Sequence, residues 1–89
     1  GTQGIERAVE ILDLFKKLGL SPSRQLSEIH ISGDNVDLVW MGTGTLVRLG
    51  RDQYSSRGRK LKTVLGIMND PERFPSVIDL RFDRQVVVR

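Results

Sequence analysis

The chain has 89 residues, 14 of them Lys or Arg against 11 Asp or Glu, with one His and no Cys. This length fits a single domain spanning residues 1–89, and the lack of Cys excludes a disulfide framework, a zinc–thiolate site and a thiol nucleophile. The longest apolar run, Leu38 to Met41, is far shorter than the roughly 20 residues of a membrane-spanning helix, so these residues do not cross a bilayer. Leu, Ile, Val and Phe are common enough to predict a folded core.

The first predicted element is an amphipathic helix from Ile5 to Leu18. Its apolar residues repeat at helical spacing, and charged residues occupy the other side. Gly19 supplies the left-handed conformation that ends many helices, and Leu20 can then fold back on Phe15 as in a Schellman motif.

Three strands are predicted next, in segments 26–32, 36–40 and 45–49. In each of them apolar and polar residues alternate, which is typical of a half-buried strand. The connections at 33–35 and 42–44 contain glycine and are short, so the three strands predict an antiparallel meander.

A second helix is predicted around the apolar stripe from Leu61 to Met68. Ser55 or Ser56 is the expected N-terminal cap, and Asn69-Asp70-Pro71 is expected to end the helix. Two more strands follow, at 78–82 and 85–89, joined by a turn near Asp83. The order is therefore αβββαββ, an α+β fold with both helices on one face of a mostly antiparallel sheet. We expect both helical stripes to pack against the same apolar residues, namely Ile29, Ile31, Leu38, Val47, Ile78 and Leu80.

The sequence offers little for catalysis or metal binding. His30 lies between two strand isoleucines and is expected to be a polar residue on the outer face, because no second His or Cys accompanies it. The carboxylates pair at strand or turn spacing, and we expect surface ion pairs from them rather than a general acid and base. The carboxylates concerned are Asp34 and Asp37, and Asp79 and Asp83, the second two with Arg81 or Arg84 beside them as the basic partner. We predict no catalytic residue, no bound metal and no cofactor.

Positive charge is concentrated in the second half of the chain. Residues 1–47 carry four basic and six acidic groups, whereas residues 48–89 carry ten basic and five acidic groups. The basic run predicts either a solvated helix face with its approach loop or a phosphate-contacting surface. The first interpretation is favoured, because only Tyr54 among the aromatic residues interleaves with the run. The run comprises Arg48, Arg51, Arg57, Arg59, Lys60 and Lys62.

The last strand differs from the others because Val86, Val87 and Val88 put apolar side chains on both of its faces. Two interpretations are open. The strand is either buried on both faces or is a sheet edge that another chain completes.

Three segments in this order resemble the β domain of the bacterial cell-division family FtsQ, also called DivIB. They are Val47-Arg48-Leu49-Gly50-Arg51, Lys60-Leu61-Lys62-Thr63-Val64-Leu65 and Ile78-Asp79-Leu80-Arg81-Phe82. With the helix and strand that precede them, the resemblance covers nearly the whole chain. The family usually has Gly where this chain has Gln85, so we expect a different turn type there.

This resemblance implies a non-enzymatic interaction domain at the division septum, on the extracytoplasmic (periplasmic) side of the cell membrane. It implies FtsB and FtsL as partners, with neither a small-molecule substrate nor nucleic acid. It also implies that one membrane helix and a POTRA module precede Gly1 in a longer protein. The partner-binding residues it indicates are Phe82, Arg84, Gln85, Val86, Val87 and Val88. A small nucleic-acid-binding domain using residues 48–62 is the alternative.

Overall fold

The computed structural model describes residues 2–21, 25–68 and 70–89, and its helices and strands follow the predicted order. Helix α1 and three strands come first, then helix α2, a short 3-10 helix and two further strands. Their bounds are α1 Thr2–Lys17, β1 Leu26–Ser32, β2 Asn35–Trp40, β3 Leu46–Gly50, α2 Tyr54–Ile67, the 3-10 helix Pro71–Arg73, β4 Val77–Asp79 and β5 Val87–Val88. The α+β class and the order αβββαββ are confirmed.

The five strands form one sheet in the order β1-β2-β3-β4-β5. Strands β1, β2 and β3 are the predicted antiparallel meander, and β5 is antiparallel to β4. The β3–β4 pair is parallel, because α2 carries the chain back across the sheet between them. The sheet is thus mostly antiparallel, as expected.

Helix α1 ends with the predicted Schellman motif. Gly19 has φ 81°, its N–H donates to the Lys16 carbonyl at 3.1 Å, and the Leu20 N–H donates to the Phe15 carbonyl at 2.9 Å. Leu20 and Phe15 are both buried in the core, which supplies the apolar contact of the motif.

The core lies between the two helices and one face of the sheet. Leu38, Val47 and Ile78 are aligned across three neighbouring strands and are fully buried, as are Phe15 and Leu61 on the helices. Leu65, which belongs to the predicted stripe of α2, also packs against this core but is only half-buried. The apolar face of α2 is deepest in its first two turns, where the buried residues are Tyr54, Arg57, Gly58 and Leu61.

The start of α2 differs from the prediction. The helix begins at Tyr54, so Ser55 and Ser56 lie inside it, and the N-cap residue is Gln53 with φ 53° and no side-chain capping bond. Met68 follows the last helical residue, Ile67, and its N–H donates to the Val64 carbonyl at 2.9 Å. Asn69, part of the predicted helix end, lies outside the described residues.

Tyr54 anchors the start of α2 to the first half of the chain. Its hydroxyl donates to the Asp34 carbonyl in the β1–β2 turn. The Arg7 guanidinium of α1 lies 5.2 Å from the centre of the tyrosine ring and donates to the Asp34 carboxylate at 2.8 Å. One aromatic side chain therefore connects both helices and the first hairpin.

Candidate partner-binding edge

Strand β5 is an outer strand of the sheet, as one of the two sequence-based interpretations required. Val88 lies opposite Ile78 and Val87 lies opposite Asp79. Val77 and Arg89 exchange two backbone hydrogen bonds of 3.0 Å, so they form a hydrogen-bonded pair of this antiparallel ladder. Because such pairs alternate, the N–H of Val87 faces β4 and the N–H and C=O of Val88 point away from the sheet.

The three valines lie on both faces of the strand. Val86 is half-buried against the core, Val87 lies on the helix-free face, and Val88 is 40% exposed. The interpretation of a strand fully buried on both faces is therefore wrong. The strand is also shorter than the predicted 85–89, because Gln85 and Val86 precede the paired residues Val87 and Val88.

The other candidate residues lie in the connection between β4 and β5. Phe82 is 41% exposed, and Arg84 and Gln85 are exposed beside it. Gln85 does not have a positive φ, so the strain that a non-glycine residue would suffer there does not arise. The predicted strand 78–82 is wrong at its end, because β4 stops at Asp79.

Two basic side chains of α2 hold this connection, and both belong to the basic run that was predicted to be a solvated face. Arg57 Nη2 donates to the Arg81 carbonyl at 3.1 Å. Lys60 Nζ donates to the Phe82 carbonyl at 2.9 Å and to the Asp83 carbonyl at 2.8 Å. A sequence signal was present, because extending the apolar stripe of α2 backwards from Leu61 puts position 57 on the buried face.

Arg81 is fixed by an ion pair with Asp79, which was predicted to lie on the surface. Its Nε and Nη2 donate to the two carboxylate oxygens of Asp79, at 2.8 Å and 2.7 Å. The Arg81 backbone N–H also donates to Asp79 at 3.1 Å, and the carboxylate side chain is only 2% exposed. The hydrogen bonds from the Arg81 side chain lower the pKa of Asp79, and those to Asp79 raise the pKa of Arg81. The expectation of a surface pair is wrong here.

Asp79 belongs to a row of residues that crosses all five strands on the face opposite the helices. The register aligns His30, Asp37, Arg48, Asp79 and Val87. His30 is exposed and contacts Glu28, as expected for an outer-face residue. Asp37 Oδ1 and Arg48 Nε approach to 3.9 Å, too far apart for a hydrogen bond, although both atoms are buried. From Asp37 through Arg48 to Asp79 the row alternates in charge, and it ends at Val87 of β5.

The basic run does not form one continuous surface. Arg48 lies on the helix-free face of the sheet. Arg57 is on the buried side of α2 and is 7% exposed, and Lys60 is hydrogen-bonded to the β4–β5 connection. Only Arg51, Arg59 and Lys62 are exposed in the way that the solvated-face interpretation expects. This dispersal argues against a phosphate-contacting surface, which needs its charges along one face or groove.

The described residues offer neither a metal site nor a membrane-spanning helix. Within 2–21, 25–68 and 70–89 there is no group of three or more His, Asp or Glu side chains placed to hold a metal ion. In the same ranges no helix has the length and apolar character needed to span a membrane.

Comparison with known proteins supports the resemblance stated above. Residues 1–81 match the family described as cell division protein FtsQ/DivIB, C-terminal, and the segment from Phe82 onwards lies beyond the match. No curated protein sequence matches the chain. Since the family match covers most of its length, this chain belongs to the FtsQ/DivIB C-terminal family of cell-division proteins.

Proposed function

We propose that this domain is a non-enzymatic interaction module and that β5 pairs with an extended segment of an FtsB-type or FtsL-type partner. Its family consists of cell-division scaffold proteins associated with the membrane at the division site. One observation carries the proposal: β5 is an outer strand whose Val88 backbone groups point away from the sheet.

The side chains around these backbone groups suit such a partner. A strand added at a sheet edge gains affinity from main-chain hydrogen bonds, and the side chains beside the edge provide selectivity. Phe82 and Val88 are both large apolar side chains exposed near this edge. Exposed aromatic residues are common anchors of interfaces. Arg84 and Gln85 add exposed polar groups to the rim of the same surface.

The cellular setting forms part of the proposal and rests on the family. We place the single domain 1–89 on the extracytoplasmic side of the membrane at the septum. A membrane helix and a POTRA module then precede Gly1 in the intact protein. The complete open reading frame tests this placement, because it either encodes one membrane helix upstream of Gly1 or does not.

Proline at Val88 tests the pairing. Val88→Pro removes an N–H that points away from β4, and proline is tolerated at edge positions of this kind. We expect the variant to fold and to bind an FtsB-type partner fragment about tenfold more weakly, because one main-chain hydrogen bond is lost. Isothermal titration calorimetry measures the affinity, and thermal unfolding followed by circular dichroism confirms the fold.

Val88→Ala is the matched control, because it trims the side chain and keeps the N–H. We expect a smaller loss of affinity from it than from proline. Val87→Pro removes an N–H that faces β4, so it should detach β5 and weaken both the strand and partner binding. The proposal is wrong if folded domains with proline at Val86, Val87 and Val88 in turn all bind the partner as the parent does.

A further inference from the structure

The Arg57 guanidinium joins the end of β3 to the residues after β4. Its Nη1 donates to the Leu49 carbonyl at 2.8 Å, and its Nη2 donates to the Arg81 carbonyl at 3.1 Å. Asp52 supplies the compensating charge, with its Oδ1 3.1 Å from Nη2. The planar guanidinium can make these bonds at the same time, whereas the single ammonium of lysine cannot reproduce the arrangement.

Gly50 provides the space that this guanidinium occupies. Its φ is 87°, and a Cβ atom placed there would lie 2.3 Å from Arg57 Nη1. Any larger residue would therefore push the guanidinium away from the carbonyl of the preceding residue, Leu49. Gly42 has the same φ of 87°, but a Cβ there would meet nothing within 4 Å.

Lys60 continues the series one turn further along α2. It lies on the same face as Arg57, three residues later, and binds the next two carbonyls, those of Phe82 and Asp83. Three consecutive carbonyls therefore bind to α2. Residues 80–86 belong to no strand, and β5 itself has only two residues, Val87 and Val88, followed by the backbone pair between Val77 and Arg89. Because so short a pair is marginal alone, the bonds from α2 add to the backbone bonds of Arg89 and the core packing of Leu80 and Val86 in fixing where Phe82 and β5 lie.

We infer that Arg57 and Lys60 are positioning residues for partner binding. They hold residues 81–83 so that Phe82 and the outward groups of β5 meet the partner, and they act without touching it. This inference rests on the proposed function, and it gives the basic residues of α2 a role other than contact with phosphate.

Lys60→Met tests the inference, with Lys62→Met as the matched control. Both variants remove one charge from the same helix, but Lys62 is exposed and does not bind the β4–β5 connection. In the free domain we expect Lys60→Met to speed backbone hydrogen exchange at 84–89 about tenfold. Exchange in β1 should stay unchanged, because the variant promotes local unfolding of the β5 segment and not of the whole domain. Binding of the FtsB-type fragment should weaken by about the same factor, because the carbonyls of Phe82 and Asp83 both lose their hydrogen bonds to Lys60. Lys62→Met should change neither measurement.

Gly50→Ala provides a test that leaves every charge in place. It displaces Arg57 at a buried position and also brings the added Cβ to 3.1 Å from Arg81 Cγ, whereas Gly42→Ala imposes the same φ cost without either contact. We expect Gly50→Ala alone to reproduce the faster exchange at 84–89 and the weaker binding. If Gly50→Ala does not fold, Arg57→Lys makes the same comparison. It keeps the positive charge but cannot bind the Leu49 and Arg81 carbonyls together as the two guanidinium nitrogens do.

The outcomes separate this inference from the proposed function. Unchanged exchange at 84–89 in Lys60→Met overturns the inference, whatever happens to affinity, because a loss of affinity alone would indicate direct contact with the partner. Faster exchange with unchanged affinity also overturns it, provided that Val88→Pro weakens binding. If the proline variants bind normally, the proposed function is what fails.

Discussion

The two outer strands of the sheet, β1 and β5, differ in length and in what holds them. Strand β1 has seven residues and aligns with β2 along nearly its whole length, through a two-residue turn at Gly33 and Asp34. Strand β5 has two residues and follows β4 after a seven-residue connection, 80–86. Local sequence is therefore enough to place β1, whereas β5 depends on groups that are distant along the chain.

The contacts of the two edges differ in the same way. Ile29 and Ile31 of β1 pack against the apolar core. The approach to β5 also has apolar contacts, through Leu80 and Val86, but polar groups add to them. Arg57 and Lys60 bind the carbonyls of 81–83, and Asp79 binds Arg81. Apolar burial tolerates small shifts, but hydrogen bonds require defined geometry. The proposed binding edge, which must present specific backbone groups, benefits from the second kind of support.

The largest expected effect is a loss of stability of the whole domain, which destabilises both outer strands together. Phe15→Ala removes a fully buried ring from the core that α1 shares with the sheet, so we expect a loss of about 3–5 kcal/mol in the free energy of unfolding. Leu65→Ala is the comparison, and it should cost clearly less because Leu65 is half-buried. Urea unfolding measures both variants. Equal losses would show that the core is not centred on Phe15.

A medium effect separates the edges by pH. Since the folded pKa of Asp79 is lowered, its carboxylate stabilises the native state above its unfolded pKa, and this stability is lost as pH falls through the folded value. We therefore expect stability to decline below about pH 4. Hydrogen exchange should rise at 87–89 before it rises in β1.

Asp79→Asn is the control for the pH dependence. It should lower stability by about 1–2 kcal/mol at pH 7, because the bonds to Arg81 lose their charge, and it should flatten the acid decline. An unchanged acid decline in this variant would assign the pH dependence to other carboxylates.

The smallest expected effect concerns nucleic acid. A surface that neutralises about five phosphates would bind duplex DNA with a log–log salt slope near −4 to −5. We expect no such binding, because Arg57 and Lys60 bind the approach to β5 and Arg48 lies on the other face of the sheet. Fluorescence anisotropy with a random duplex at two salt concentrations measures it. Micromolar binding with a steep salt slope would favour the alternative function.

Local patterns in the sequence were sufficient for most of the fold. The Gly19 helix end, the exact span of β1 and the meander through β3 were predictable, because each depends on residues close together in the chain. The candidate edge at Val86–Val88 was also recognisable, because it has three consecutive valines where the other strands alternate apolar and polar residues.

Only the tertiary structure decided how that edge is supported. In the sequence, Arg57 and Lys60 are two of six charges in a basic run, and Asp79 is an acid two residues before an arginine. Their roles arise where α2 crosses from β3 to β4 and brings residue 57 within 3.1 Å of the carbonyl of residue 81. A pattern of periods and turns describes neighbours along the chain, but a hydrogen bond across 24 residues depends on how the helix packs on the sheet.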